Sequence, residues 1–438
     1  MKDCNRAISK LTKQNQHLES TRRTRSRYDH FKVIRDCARE VYNALCTSFS
    51  CSCVSQHSIS WQLDVPFQQS GIQFRVVATN NLVDDSDDNL KIYHEIELRP
   101  ANIAAETVEQ EQAQAIQNYP SKKKARFLED PTNSNVSMVR YNIANSSGST
   151  TMTFSRTFSS LGINDQDSVY RVNSPRVDLA ITDFCRRLCA SNFDCRERCL
   201  GYIRAATEDY FEIFPLDKWR IGDSRPTSLS LASLFSQARA PSLASPLTLV
   251  DRLHLAKSVA TGVLQLYNSP LLERRWTKED ITFLPRASLS TERPFRKAYI
   301  TKNVQTPNST ASNPCQPKPT PFIHNSTIFA LGILLVEICL GRSIDDLRVP
   351  EDFPTEDHLQ KPDVFTDYST AMRLLDNGSI FEESGSELYE SAVRHCVRCN
   401  FKPNSTDLEN AAFRQAVYSG VVALLEDQVS VVMGTKSL

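Results

Sequence analysis

The sequence predicts an α+β chain in two lobes, a small β-containing one followed by a helical one, with a helical arm in front. Three observations lead there. Segments between positions 58 and 98 alternate apolar and polar residues, two long helices in the second half carry continuous apolar faces, and a long polar stretch separates the two regions. At 438 residues and 40% hydrophobic content, the chain can bury a substantial core and form two or three units.

The arm, residues 1–46, holds eleven Lys/Arg against five Asp/Glu, and Phe31, Ile34, Ala38, Val41 and Leu45 recur at helical spacing. The small lobe spans about 50–215. Its strands are Ser58–Val65, Ile72–Thr79 and Ile92–Leu98, the last two separated by the acidic turn Asp84–Asp88. From about 100 to 175 the chain is rich in Gln, Asn, Ser and Thr and reads as a flexible insert. A short helix, Val177–Cys189, and a hairpin, Cys199–Ile203 with Tyr210–Pro215, complete the lobe.

The helical lobe spans about 225–438. Its strongest helix starts from Ser245 as N-cap with Pro246 at the first position, where a missing donor costs nothing. Leu249, Leu253, Ala256, Ala260, Val263, Leu264 and Tyr267 form its stripe. A short strand follows at Ile281–Leu284, then a polar, Pro-rich loop at about 286–322. The apolar run Ile328–Leu340 is too short to span a bilayer, contains Glu337 and ends at Gly341, so it reads as a buried helix with a glycine C-cap. Thr406 and Glu409 have capping-box spacing ahead of Phe413, Val417, Val421 and Leu424.

Basic and acidic residues balance at 51 each, for a net charge of +0, which argues against whole-chain affinity for nucleic acid or an anionic membrane. The basic patches Arg22–Arg27 and Lys122–Arg126 lack interleaved aromatics. The first residues are polar and carry no apolar signal core, so a cytoplasmic protein is expected and the thirteen cysteines are expected as thiols.

Three strands, a helix, a hairpin, a long amphipathic helix, a short strand and a buried glycine-containing helix come in the order of a protein kinase. The chain resembles one. Thr327–Arg342, TIFALGILLVEICLGR, resembles the central large-lobe kinase helix, and Asp251–Tyr267 resembles the helix leading into the catalytic loop. The chain is also similar to a fungal family, domain of unknown function 7580, often found behind a helical domain of the prion-inhibition type. The similar blocks are Cys51-Ser-Cys53, Cys199–Tyr202, Val250–Leu284, Phe329–Arg348 and Ala392–Leu424.

Phosphoryl transfer needs groups that cradle phosphates, bind metal and orient the attacking hydroxyl. The glycine-rich loop is absent, with only Gly71 in the first strand pair, and the third strand has Lys91 and Arg99 only at its ends. In the register set by Asp280–Leu284, the catalytic triplet becomes Glu273, Arg274 and Arg275, and an arginine cannot accept a proton. The metal-binding aspartate expected near Thr291–Phe295 is missing, Thr327 replaces another aspartate, and the late arginine falls near Asn404. Asp280 alone is retained as a candidate cofactor-binding carboxylate, with a turn or cap role as its alternative.

The resemblance therefore implies a catalytically inactive, kinase-like interaction or scaffold protein in fungal intracellular signalling, with incompatibility or defence as its setting. Its alternative is an enzyme with repurposed cleft chemistry or weak nucleotide binding. No catalytic residue, cofactor or bound metal is expected. A protein partner is expected, with self- or paralogue association through residues 1–46, and neither a nucleic-acid partner nor a transmembrane segment. Cys185, Cys189, Cys195 and Cys199 have the thiol number of a zinc site, but no histidine joins them and thiols four apart on a helix are commonly core residues. Cys51/Cys53 and Cys396/Cys399 are short thiol pairs, the latter expected in a helix core. No metalloprotease, esterase or P-loop motif occurs.

Overall fold

The computed structural model describes residues 30–51, 53, 57–64, 67–68, 71–83, 89–101, 181, 183–190, 198–207, 209–221, 228–237, 247–272, 276–284, 295, 297–304, 323–353, 362–401 and 406–434. The chain divides into two units, Met1–Pro100 with Asp178–Leu438, and Ala101–Val177. The architecture below is that of the first. The acidic turn at 84–88 and the insert beyond Ala101 lie outside the described residues.

Helix α1 covers residues 30–48, and the stripe Phe31, Ile34, Ala38, Val41 and Leu45 is buried in the main core. Phe31 meets the Tyr418 ring at 5.6 Å, and the Arg35 guanidinium sits 4.5 Å above the Tyr267 ring while pairing with Glu409 and Asp36. The apolar face that the sequence offers for docking is thus filled by the chain itself. Residues 1–29, the rest of the proposed arm, lie outside the described residues.

Strands β1 (His57–Gln62), β2 (Phe67–Gln68), β3 (Gly71–Ile72), β4 (Phe74–Val83) and β5 (Asn89–Pro100) follow. Helix α2 (Phe184–Ala190) then precedes the hairpin of β6 (Gly201–Arg204) and β7 (Tyr210–Ile221). Beyond it come β8 (Leu229–Ser230), α3 (Leu231–Gln237), α4 (Leu249–Leu266), β9 (Ile281–Phe283) and β10 (Tyr299–Asn303). One eight-stranded sheet has the order β6-β7-β5-β4-β1-β10-β9-β8, with every pairing antiparallel, while β2 and β3 form a separate ribbon in which Gly71, opening β3, has φ 101°. β10 corrects the polar loop expected at 286–322. Ala298, Tyr299, Ile300 and Val304 are buried there, because a short aromatic and β-branched run finds strand partners on both edges.

The remaining elements are α5 (Ser326–Leu340), α6 (Ile344–Leu347), α7 (Val364–Asp376), α8 (Ser379–Ser384), α9 (Glu387–Arg398), α10 (Ala411–Val417), a π-turn at Tyr418–Val422 and α11 (Ala423–Val432). Among the described residues, no helix is long and apolar enough to cross a membrane. α5 ends at Gly341 with φ 63°, as the sequence predicts. Two predicted starts are corrected. α4 begins three residues after Pro246, because Thr248 and Asp251 form a reciprocal capping box, and this leaves Leu249 39% exposed, outside the stripe. α10 is capped by Asn410, which accepts from Ala412 and Phe413 N–H, because Glu409 is engaged by Arg35 and Asn268.

Buried charges in the helical part are answered in place. Glu337 on α5 accepts from Lys278 Nζ and from the Ile344 backbone N–H, both at 2.8 Å. Asp352 accepts from Arg373 Nε and Nη2 at 2.9 Å each, from Thr370 at 2.9 Å and from Val349 N–H at 3.0 Å. Burial opposes its charge, but the Arg373 hydrogen bond, the Val349 N–H and the Thr370 hydroxyl outweigh it and hold this carboxyl below its usual range. A carboxyl depressed in the folded state stabilises fully above its unfolded pKa of about 3.9 and loses that contribution as pH falls through the folded value. Asp352→Asn should therefore lower the urea midpoint at pH 7, with the deficit against wild type shrinking below about pH 4.

α5 and α9 approach closely at Gly332, where an added Cβ would lie 3.0 Å from both Cys396 Cβ and the Val397 backbone nitrogen. Overpacking of this kind costs about 1–3 kcal/mol, and alanine's helix propensity returns at most about 1 kcal/mol. Gly332→Ala should lower stability in urea unfolding, whereas Gly378→Ala, at φ 79° with nothing within 4 Å, tests backbone strain alone.

Candidate functional site

Asp280, the retained candidate for cofactor binding, closes the turn before β9. Its Oδ2 accepts from Thr277 N–H at 2.9 Å, and Oδ1 lies 3.8 Å from Lys302 Nζ on β10. Both carboxylate oxygens therefore have local partners. Trp276, four residues before Asp280, is buried, and Phe295 meets Phe283 of β9 edge-on at 5.5 Å. Glu273, Arg274 and Arg275, the window Thr291–Pro294 and Asn404 lie outside the described residues. Lys91, expected at the edge of the third strand, is instead inside it, because β5 starts at Asn89 and pairs Lys91 with Asn81 on one side and Ile221 on the other.

Titratable and metal-ligating groups converge instead where α1, β1 and α2 meet. Helix α1 runs out into the connector that carries Cys51 and Cys53, His57 opens β1, and Cys185 lies in the first turn of α2. Cys51 Sγ is 3.1 Å from His57 Nε2, Cys53 Sγ is 3.3 Å from the same nitrogen, and Cys53 Sγ is 3.7 Å from Cys185 Sγ. All four ligand atoms lie within 4.8 Å of one another. The opposite ring nitrogen, Nδ1, is 3.3 Å from the Thr79 carbonyl of β4, which keeps its proton there and turns Nε2 toward the sulfurs.

The surroundings are apolar on one side and weakly polar on the other. Phe49 packs 4.9 Å from the His57 ring and edge-on to Phe184 at 5.0 Å. Asn80 Nδ2 points at the Cys185 and Cys189 sulfurs from 3.9 and 3.7 Å. Burial, then the neighbouring Cys53, raises the Cys51 thiol, and burial lowers the His57 imidazole against the upward pull of the Thr79 carbonyl. A cavity of about 10 Å³ adjoins the cluster, bordered by His57, Asn80, His94 and Cys189, with room for about one water and none for a nucleotide. Burial, then Lys218, His57 and Arg220, pushes His94 down to about 3, so this imidazole is neutral at pH 7.

The four-thiol spacing is taken apart by the fold. Of its members, Cys185 joins the cluster, Cys189 faces Asn80 and is exposed, Cys199 donates to the Gly201 carbonyl at 3.2 Å, and Cys195 lies outside the described residues. In the sequence Cys51 and Cys53 stand out only as a short thiol pair, without His57. The signal was C-x-C-x3-H followed by a strand, two thiols and an imidazole within seven residues. Cys396 is fully buried on α9, as expected for a core thiol, and burial raises it well above the ordinary range.

A family model described as Domain of unknown function (DUF7580) matches residues 181–432, more than half of the chain. No curated protein matches it. The local bonding of Asp280 carries a measurable consequence. Asp280→Ala removes one turn hydrogen bond and a partly exposed ion pair, and should cost about 0.5–1.5 kcal/mol in urea unfolding without changing the unfolding slope.

Proposed function

This chain belongs to the Domain of unknown function (DUF7580) family, and we propose that it works by binding, as a kinase-like interaction or scaffold protein of fungal intracellular signalling that transfers no phosphoryl group. One observation carries the reading. β1 is paired with β10 over Ser58↔Asn303 to Gln62↔Tyr299, so backbone hydrogen bonds occupy the edge along which an inter-lobe cleft would open. A kinase must admit ATP with its metal between its lobes. Here the seam between the first strand and the β9–β10 pair carries a ladder of backbone hydrogen bonds.

The order of elements supports the kinase-like part of the reading. Three antiparallel strands, a helix and a hairpin that folds back onto the third strand precede the long helix α4, and the buried helix α5 follows the β9–β10 pair. The loss of chemistry is independent of register. No aspartate lies between Asp280 and Asp345, so the segment after β10 has none to hold Mg²⁺. Lys302 is drawn to Asp280, an ion pair that would have to break for that carboxylate to take a cation.

Titration calorimetry with ATP and Mg²⁺ should give no heat beyond dilution, and radiolabelled γ-phosphate should not reach the chain or a generic protein substrate. Transfer that Asp280→Ala abolishes would overturn the reading. For the binding half, the immobilised chain should capture from a fungal extract a partner that rebinds the purified chain saturably.

A further inference from the structure

The thiol and imidazole groups at the junction of α1, β1 and α2 form a more specific arrangement than core packing requires. We propose that Cys51, Cys53, His57 and Cys185 bind one structural zinc ion, which clamps the end of helix α1 to the start of β1 and to α2. Three thiolates and an imidazole are a soft, tetrahedral donor set of the kind that structural zinc sites use, and they exclude the hard, oxygen-seeking cations.

The geometry is close to that of a loaded site. Zinc bonds of about 2.3 Å to sulfur and about 2.0–2.1 Å to nitrogen imply tetrahedral edges of about 3.8 Å between sulfurs and about 3.5 Å between sulfur and nitrogen. Three of the six edges are 3.7 Å for Cys53 to Cys185, and 3.1 and 3.3 Å for His57 to Cys51 and Cys53, and the others are no longer than 4.8 Å. The two sulfur–nitrogen edges need to lengthen by only a few tenths of an ångström, and the Cys53–Cys185 edge hardly at all. Cys53 and Cys185 are both free thiols, and their separation is far from the bonded distance of about 2.05 Å, so the cluster is not a disulfide with bystanders.

The outer contacts are those a zinc site needs. The Thr79 carbonyl beside His57 Nδ1 fixes the tautomer that leaves Nε2 free to ligate, and Asn80 offers an amide hydrogen to the Cys185 sulfur. Phe49 shields the imidazole from water. All four positions come from the chain, so no corner is left for substrate and the ion is structural. On binding, Zn²⁺ forms three Zn–S bonds and one Zn–N bond, three thiols release their protons to solvent, and no electron is transferred. The clamp joins positions 132 residues apart in sequence, Cys53 and Cys185, which is where a cross-link removes most freedom from the unfolded chain.

The test uses the full chain, purified reduced, without chelator and without a histidine tag. Elemental analysis should find about one zinc per chain, lost in Cys53→Ser and Cys185→Ser and retained in Cys189→Ser, whose thiol lies outside the four. Cobalt exchanged into the wild type should show the visible bands and sulfur-to-metal charge transfer of a tetrahedral thiolate site. Native alkylation mapped by mass spectrometry should spare Cys51, Cys53 and Cys185 until a chelator is added, and chelation should lower the unfolding temperature. The proposal is overturned by wild-type protein that neither contains zinc nor takes it up. Undiminished zinc in the Cys53→Ser, His57→Ala double variant would overturn it as well. Because the wild-type measurements decide alone, a variant that fails to fold does not protect the idea.

Discussion

Strand β1 is hydrogen-bonded along both edges, to β4 on one side and β10 on the other, and much of the molecule is arranged by that fact. It puts the β9–β10 pair, which the sequence assigns to the helical lobe, into the same sheet as the hairpin β6–β7. A strand paired on one side only would leave its second row of amides and carbonyls for water, and with it an opening between the two parts. With both rows satisfied, the alternating residues Ile59 and Trp61 are buried, and Ser60 Oγ meets Thr301 Oγ1 at 2.8 Å across the seam. The same strand begins with His57, and its pairing with β4, where His57 lies opposite Asn80, holds the imidazole in the thiol cluster in place.

Helix α1 depends on this frame from the other direction. Its apolar stripe fills the core, and Arg35, almost fully buried, is compensated by Glu409, Asp36 and the face of Tyr267. Removing one partner from such a group would strand a charge out of water, which costs more than the pair contributes. The Tyr267 hydroxyl in turn donates to the Leu408 carbonyl and accepts from Arg414, which also donates to that carbonyl. The arm, the end of α4 and the start of α10 are therefore one polar network inside an apolar core, and α1 belongs to the body of the protein. This is why a helix that reads as a docking element turns out to be internal.

Elements with strong local patterns were legible. The periodic stripe of α1, the alternation in β4 and β5, the apolar run and Gly341 stop of α5, and the burial of Cys396 on α9 all follow from short-range spacing. The misplacements fall where two local signals compete. Ser245-Pro246 is a good helix start, but Thr248 with Asp251 satisfies two backbone amides reciprocally and prevails. Thr406 with Glu409 has capping-box spacing, but Glu409 is taken by Arg35, 374 positions away in sequence, and Asn410 becomes the cap. β10 was hidden because a five-residue strand in polar surroundings has little pattern of its own and gains its stability from neighbours.

For the sites, the sequence by itself determined what was missing: no glycine-rich loop and no aspartate between positions 280 and 345. Absence of a residue type over a whole window needs no coordinates. It also placed Cys51, Cys53 and His57 within seven residues, but that much chain can extend about 20 Å, so their meeting is allowed and not dictated by the spacing. Only the tertiary structure decided that Cys185, rather than its near neighbours Cys189 and Cys199, completes the set. Cys185 and Cys189, four apart, share one face of α2 and both face Asn80, so spacing does not choose between them; which of the two meets Cys53 depends on how α2 packs on Phe49 and β4. That packing is a long-range contact, and no local spacing encodes it.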